Sequence, residues 1–255
     1  MSKVLAIVYG IVCYFCFFFV FLYLIGFVLG VTPKTVDTGP TAPFGVAVAI
    51  DVGLIALFAV SHSVMARPKF KQSWTKIVPR PVERSTYVLV ASGALALLMW
   101  QWRPITGMMW SIETPSLRYL VYAIALAGWT LAFIATFAIN HFNLFGLHQV
   151  YNYARGVQPG KPEFRQPILY RLVRHPLMLG LIVAFWAAPD MTLGHLLFAA
   201  GLTGYILIVL PIEERDLVGI FGDRYRKYRN DVPMLIPIPK RRRGDAAVSD
   251  NASSD

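Results

Sequence analysis

A chain of 255 residues that is 56% hydrophobic and only 15% charged, with a mean hydropathy of +0.54, is not an ordinary soluble domain, in which about a quarter of residues are charged. Its formal net charge of +10 would suit a nucleic-acid binder, yet the strongest basic run, Lys240-Arg241-Arg242-Arg243, follows a long apolar region and is read as lying against anionic lipid headgroups. Composition therefore excludes a soluble enzyme or a nucleic-acid-binding domain and predicts one helical membrane domain.

Residues 4–29 are uncharged, longer than a signal-peptide core and without a clear small-x-small cleavage site, which predicts a retained first span. Cys13 and Cys16 fall inside it. Thiols in lipid, without basic neighbours to ionise them, read as small apolar helix residues rather than a redox or metal pair. Residues 31–43, with Pro33, Gly39, Pro40 and Pro43, predict a loop. The second span, 44–65, is interrupted by Asp51 and by Ser61-His62-Ser63. A basic loop at 67–84 leads to a third span at 85–102, a turn at 103–115, a fourth span at 117–139 and a long polar segment at 140–173.

Residues 176–188 are apolar, but at about 1.5 Å per residue they fall short of a hydrocarbon core about 30 Å thick. Pro189-Asp190 turns the chain and 191–210 returns, so the pair reads as a tight hairpin with a short first arm. Beyond it, 213–230 reads as an amphipathic helix, with Leu217, Phe221, Tyr225 and Tyr228 at helical spacing. Residues 241–255 are expected to form a disordered polar tail. Nearly all Lys and Arg fall on one side if the loop 67–84, the segment 140–174 and the C-terminus share it. The positive-inside rule then sets both termini in the cytoplasm. The predicted fold class is an all-α integral membrane protein: about four full transmembrane helices, a C-terminal helical hairpin (five to six membrane segments) and a cytoplasmic amphipathic helix.

Two charged clusters bracket the hairpin: Arg174-His175 before Pro176, and Glu213-Glu214-Arg215-Asp216 after the return arm. Charge next to hydrocarbon is expensive and calls for a reason. Folding the hairpin brings the clusters to the same face, where a cationic loop opposite an acidic one suits a small zwitterionic or cationic cofactor.

Arg174-His175-Pro176 with Gly180, Glu213-Glu214 with Leu217, Phe221-Gly222, Tyr225, Tyr228, Pro233 and Pro237 resemble the membrane methyltransferase superfamily. That superfamily includes isoprenylcysteine carboxyl methyltransferases, phospholipid N-methyltransferases and NnrU-like proteins. Met178 stands where the superfamily commonly has an aromatic. The stretch from Asn140-His141-Phe142 to His148-Gln149-Val150 is similar to that of bacterial methanethiol S-methyltransferases, and this likeness extends over most of residues 1–240. The resemblance implies methyl transfer from S-adenosylmethionine to methanethiol, a small volatile thiol, releasing dimethyl sulfide at a bacterial inner membrane. It implies a single domain at 1–240, with 174–237 as the cofactor-binding part. By the same resemblance His175, Pro176 and Gly180 hold one part of the cofactor. Glu213 or Glu214 accepts from its ribose hydroxyls or amine, and Tyr225 packs against its adenine. Arg174 holds its carboxylate or pairs with one of the two glutamates.

A simple alkyl thiol is at least as weak an acid as free cysteine, near a pKa of about 8.5, so the site needs a base or an electropositive pocket. His141 and His148, about two helical turns apart, are the candidates, and His148 is favoured because polar neighbours would orient its ring. Phe142, Leu144, Phe145 and Leu147 would line a small dry pocket. His62 stands between a packing role and the rim of the site. Asp51 is expected to make a helix–helix polar contact, and His195 is read as structural. No metal cluster, phosphate loop or glycine-rich nucleotide motif stands out. Two alternatives stay open: methylation of a lipid amine or an isoprenylcysteine carboxylate, and a non-enzymatic haem or quinone binder built on the five histidines.

Overall fold

The computed structural model describes residues 1–158, 160 and 163–237; the basic run at 240–243 and the tail at 241–255 lie outside the described residues. The elements are α1 (Lys3–Leu29), α2 (Phe44–Ala66), α3 (Pro68–Trp74), α4 (Arg80–Gln101), β1 (Met108–Ser111), α5 (Pro115–Ile139), α6 (His141–Leu144), α7 (Leu147–Arg155), α8 (Ile168–Leu172), α9 (Pro176–Trp186), β2 (Asp190–Thr192), α10 (Leu193–Phe221) and α11 (Asp223–Asp231). Five of them, α1, α2, α4, α5 and α10, are long and apolar enough to cross a membrane. Their outer positions are apolar as well: Phe15 and Phe19 on α1, and Leu120 and Ile134 on α5, are exposed. A helix that is hydrophobic all round belongs in hydrocarbon. The chain is an all-α multi-pass membrane protein.

The eleven residues of α9 span only about 16 Å, yet they join the two faces of the bundle. β2, which follows α9, pairs antiparallel with β1, which follows α4. The strap is tied by Arg118, whose guanidinium grips Asp190 through bonds of 2.9 and 2.6 Å, while Ser111 Oγ donates to the same carboxylate at 2.6 Å. These bonds hold the Asp190 carboxyl below the usual carboxylate range. A short arm suffices because its other end starts below the surface. Arg174 and His175 are buried, and their backbone N–H groups donate to the carbonyls of Pro233 and Met234 at 2.9 and 3.2 Å.

α9 also lies unusually close to α5. A Cβ added at Gly180 would stand 2.6 Å from Ala132 N and from Gly128 O, so the two helices meet backbone to backbone, as small residues allow in membranes. Gly180→Ala is therefore expected to destabilise the bundle by about 1–3 kcal/mol, the usual range for overpacking. Thermal unfolding in detergent would read this as a lowered midpoint, and an unchanged midpoint would mean that α5 gives way. The main core gathers Phe27, Trp102, Trp129, Phe185 and Phe198 from α1, α5, α9, α10 and the end of α4.

Several boundaries differ from the sequence reading. The stretch 67–84 is not simply a loop. Pro68 and Pro81 sit in the first turns of α3 and α4, where a missing N–H costs nothing. Prolines there start helices rather than mark loops. The helix expected at 213–230 is two pieces: α10 runs through Pro211 as far as Phe221, and α11 begins only after Gly222. Among the described residues, the polar segment 140–173 contains three helices, α6 to α8. Asp51 is fully buried and bonds not a facing helix but the backbone N–H of Arg103, at 2.9 Å, just beyond α4. His195 is structural, with Nε2 bonded to Phe185 O at 3.0 Å.

Candidate active site

The two charged clusters meet. Arg174 Nε donates to Glu214 Oε1 at 2.5 Å, and His175 Nε2 lies 3.1 Å from the same oxygen. Arg174 Nη1 donates to the carbonyls of Arg229 and Val232, at 2.7 and 2.5 Å. All three side chains are under 9% exposed. A buried ion pair survives where further hydrogen bonds compensate the loss of water, and here the carbonyls that end α11 do so. The result is a clasp joining α9, α10 and α11. Pro176 is buried at the first turn of α9 behind it, and Gly180 faces α5.

The neighbouring Glu213 behaves differently. It is half-buried and makes no hydrogen bond or ion pair among the described residues. Its carboxylate lies within electrostatic reach of the hydroxyls of Tyr87, Tyr170, Tyr205 and Tyr225. Burial pushes the Tyr170 and Tyr225 hydroxyls well above the ordinary tyrosine range and raises Tyr228 to about 12. The Tyr170 and Tyr225 hydroxyls therefore stay protonated within reach of a carboxylate that has no ion pair among the described residues, an environment that suits a cation.

Close by, a cavity of about 490 Å³ is lined by Phe164, Arg171, Arg224, Lys227, Tyr228 and Asp231, among others. Tyr228 relates it to the clasp: its hydroxyl donates to Tyr170 O at 2.6 Å and lies within electrostatic reach of Arg174 and Glu214. Tyr225 is 3% exposed, with Phe164 and Tyr228 packed edge-on against it at 5.9 and 5.6 Å between centroids. The aromatic groups that reach the cavity are Phe164 and Tyr228.

His141 and His148 are not brought to this cluster. His141 is buried, its Nδ1 2.7 Å from Thr136 Oγ1 and its Nε2 2.9 Å from Tyr14 Oη. Its ring stacks on Phe137 at 4.1 Å. Burial holds its imidazolium form below the ordinary range. His148 is exposed on α7, its nearest polar contact Asn152 at 3.5 Å. The two do not share a helical face, because Gly146 breaks the segment at φ +90, and a Cβ there would strike Ser85 Oγ at 2.6 Å. The pocket expected from residues 142–147 does not converge either: Phe145 stacks on Phe17, while Phe142 is exposed. Sequence reasoning missed the tyrosines around Glu213. Phenols near span ends read as interfacial belt residues, and nothing in a one-dimensional pattern shows four of them converging.

Fold and site together define a multi-pass helical membrane protein with a buried Arg–His–Glu clasp beside a second carboxylate, Glu213, within electrostatic reach of four tyrosines. The chain belongs to the NnrU family, whose description, NnrU protein, matches residues 52–216. It is 56% identical over 236 residues to methanethiol S-methyltransferase 1 of Bradyrhizobium diazoefficiens, covering 92% of this chain and 83% of that protein. It is 52% identical over 242 residues to methanethiol S-methyltransferase of Mycobacterium tuberculosis, covering 94% and 99%. A more distant likeness, 31% over 192 residues, joins it to human nurim, covering 70% and 71%. No solved structure matches.

Proposed function

We propose that this protein transfers a methyl group from S-adenosylmethionine to methanethiol, giving dimethyl sulfide and S-adenosylhomocysteine, at the cytoplasmic side of a bacterial inner membrane. The observation that carries the reading is identity of 52–56% over more than nine-tenths of the chain with proteins named for that reaction. The residues beside the clasp fit the donor chemically. Arg171, Arg224 and Lys227 offer cations for a carboxylate, Asp231 an acceptor for an amine, and Phe164 with Tyr228 apolar faces for an adenine. The volume is within the range of small-molecule sites, about 300–1,000 Å³. Glu213, without an ion pair among the described residues and within electrostatic reach of four phenols, would face the sulfonium.

When bound, S-adenosylmethionine supplies an electrophilic methyl on a positively charged sulfur. The chain's task is alignment and the exclusion of water, because an in-line displacement gains most from these. Arg174, His175, Pro176 and Glu214 act by locking α9, α10 and α11 into one wall; Gly180 acts by letting α9 lie against α5. Tyr225 braces Phe164 and Tyr228 from behind. The basic residues of α3, α8 and α11 give this face its positive charge, which supports a cytoplasmic orientation and contact with anionic lipid.

Purified protein given S-adenosylmethionine and methanethiol is expected to release dimethyl sulfide, measured by headspace chromatography. Transfer of labelled methyl to a lipid amine, with no dimethyl sulfide formed, would overturn the substrate assignment.

A further inference from the structure

His62 lies near the end of α2 with each ring nitrogen on a different tyrosine. Nδ1 is 2.8 Å from the Tyr205 hydroxyl on α10, and Nε2 is 2.9 Å from the Tyr87 hydroxyl on α4. Ser63 Oγ donates to the Tyr205 oxygen at 3.2 Å. In the tautomer that links the three rings, the Tyr205 hydroxyl donates to His62 Nδ1 and Nε2 donates to the Tyr87 oxygen. Packing alone does not require this arrangement. The ring of the buried His195 hydrogen-bonds one carbonyl, with the Asp37 carboxylate 3.7 Å from its Nδ1, whereas His62 links two phenols from two other helices.

The chain of groups also points somewhere. Tyr87 and Tyr205, the two phenols that hold His62, are two of the four within electrostatic reach of Glu213. The other charges facing His62 are Arg67, at the join of α2 and α3, and Arg84 on α4. Arg67 is itself paired with Asp216 of α10 at 2.8 Å, and the Arg84 guanidinium lies over the Tyr87 ring at 4.9 Å. His62 and Tyr205 are only half-buried, so a small molecule can reach the relay.

We infer that the Tyr205–His62–Tyr87 relay removes the proton of the thiol substrate. This rests on the reading of the chain as a methanethiol methyltransferase. The S–H proton passes to the Tyr205 oxygen as the Tyr205 hydroxyl proton moves to His62 Nδ1. The Nε2 proton goes on to the Tyr87 oxygen, and the Tyr87 hydroxyl proton is released to solvent. Meanwhile the new C–S bond forms and the sulfonium C–S bond breaks. One proton is released per turnover. His62 acts through Tyr205 and is a positioning and relay group rather than one that touches the thiol.

The test uses His62→Gln and His62→Phe in the full-length protein, with kcat/KM measured against pH for methanethiol and for trifluoroethanethiol, a small thiol of much greater acidity. Both variants are expected to bind S-adenosylmethionine with unchanged calorimetric affinity, which certifies the fold. At neutral pH they lose about 10²–10⁴-fold in kcat/KM on methanethiol, the usual worth of general-base catalysis. Their rates then climb about tenfold per pH unit as bulk thiolate appears, and the loss on trifluoroethanethiol is much smaller. Equal, pH-independent losses on both thiols, or no loss at all, would overturn the relay while leaving the reaction assignment in place. A wild-type protein that forms no dimethyl sulfide would overturn both.

Discussion

Glu214→Ala is expected to lower the stability of the folded protein by about 3–5 kcal/mol, the typical result of removing one partner from a buried ion pair. Arg174 would be left under 9% exposed with only the carbonyls of Arg229 and Val232 as partners. Neutral oxygens do not balance a full charge shielded from water. His175 would lose its Nε2 contact in the same step. Thermal unfolding in detergent is the measurement. Glu214→Gln, which keeps the hydrogen-bond acceptor, should fall between wild type and Glu214→Ala. A combined Arg174→Met, Glu214→Leu variant should recover much of the loss, because apolar replacement of a whole buried pair is often neutral or stabilising. An unchanged midpoint in Glu214→Ala would show that the clasp does not hold α9, α10 and α11 together. The charge pattern alone suggests the opposite outcome, a variant that loses cofactor and keeps its fold. The geometry separates the two glutamates: Glu214 is tied to Arg174 and His175, whereas Glu213 makes no hydrogen bond or ion pair among the described residues.

What the sequence made legible follows from the cost of charge in hydrocarbon. Arg174, His175 and the glutamate pair stand out because they interrupt apolar runs, and only a fold that brings them together satisfies them. The shortness of α9 was readable for the same reason of length against bilayer thickness. The arrangement that lets α9 reach the far face was not, since it depends on β1 meeting β2 across about eighty residues of chain. A three-residue strand leaves no periodic signal. Helix α3 and the first turn of α4 hid behind prolines that mark loops on average and helix starts in particular. His141 and His148 look equivalent on paper, two polar rings seven apart. One left-handed glycine between them sends the first into the packing of α1 with α5 and the second to the surface. His62 was visible as an oddity in a span, but its two phenols come from α4 and α10, and no spacing rule connects three helices.

Glu213→Gln should leave the fold intact and weaken the site selectively. The side chain makes no hydrogen bond or ion pair among the described residues, so exchanging carboxylate for amide removes charge without stranding a partner. At about 4 Å and an effective dielectric near 20, one opposite-charge pair is worth up to about 4 kcal/mol. Partial exposure of Glu213 reduces this to about 1–3 kcal/mol, roughly a tenfold to hundredfold change in affinity. The decisive comparison is between S-adenosylmethionine, whose sulfur is cationic, and S-adenosylhomocysteine, whose sulfur is neutral. Calorimetry on the variant should show the loss for the first ligand and little change for the second, because only the first offers a charge for the carboxylate to meet. The rate of methyl transfer should respond differently from ground-state binding. The sulfonium charge is partly discharged as the C–S bond breaks, so a carboxylate holding it tightly stabilises the bound donor more than the transition state. Once the variant is saturated with donor, its kcat for dimethyl sulfide should therefore fall much less than its donor affinity. Equal losses of affinity for the two ligands would place Glu213 on the ribose or amine instead of the sulfur.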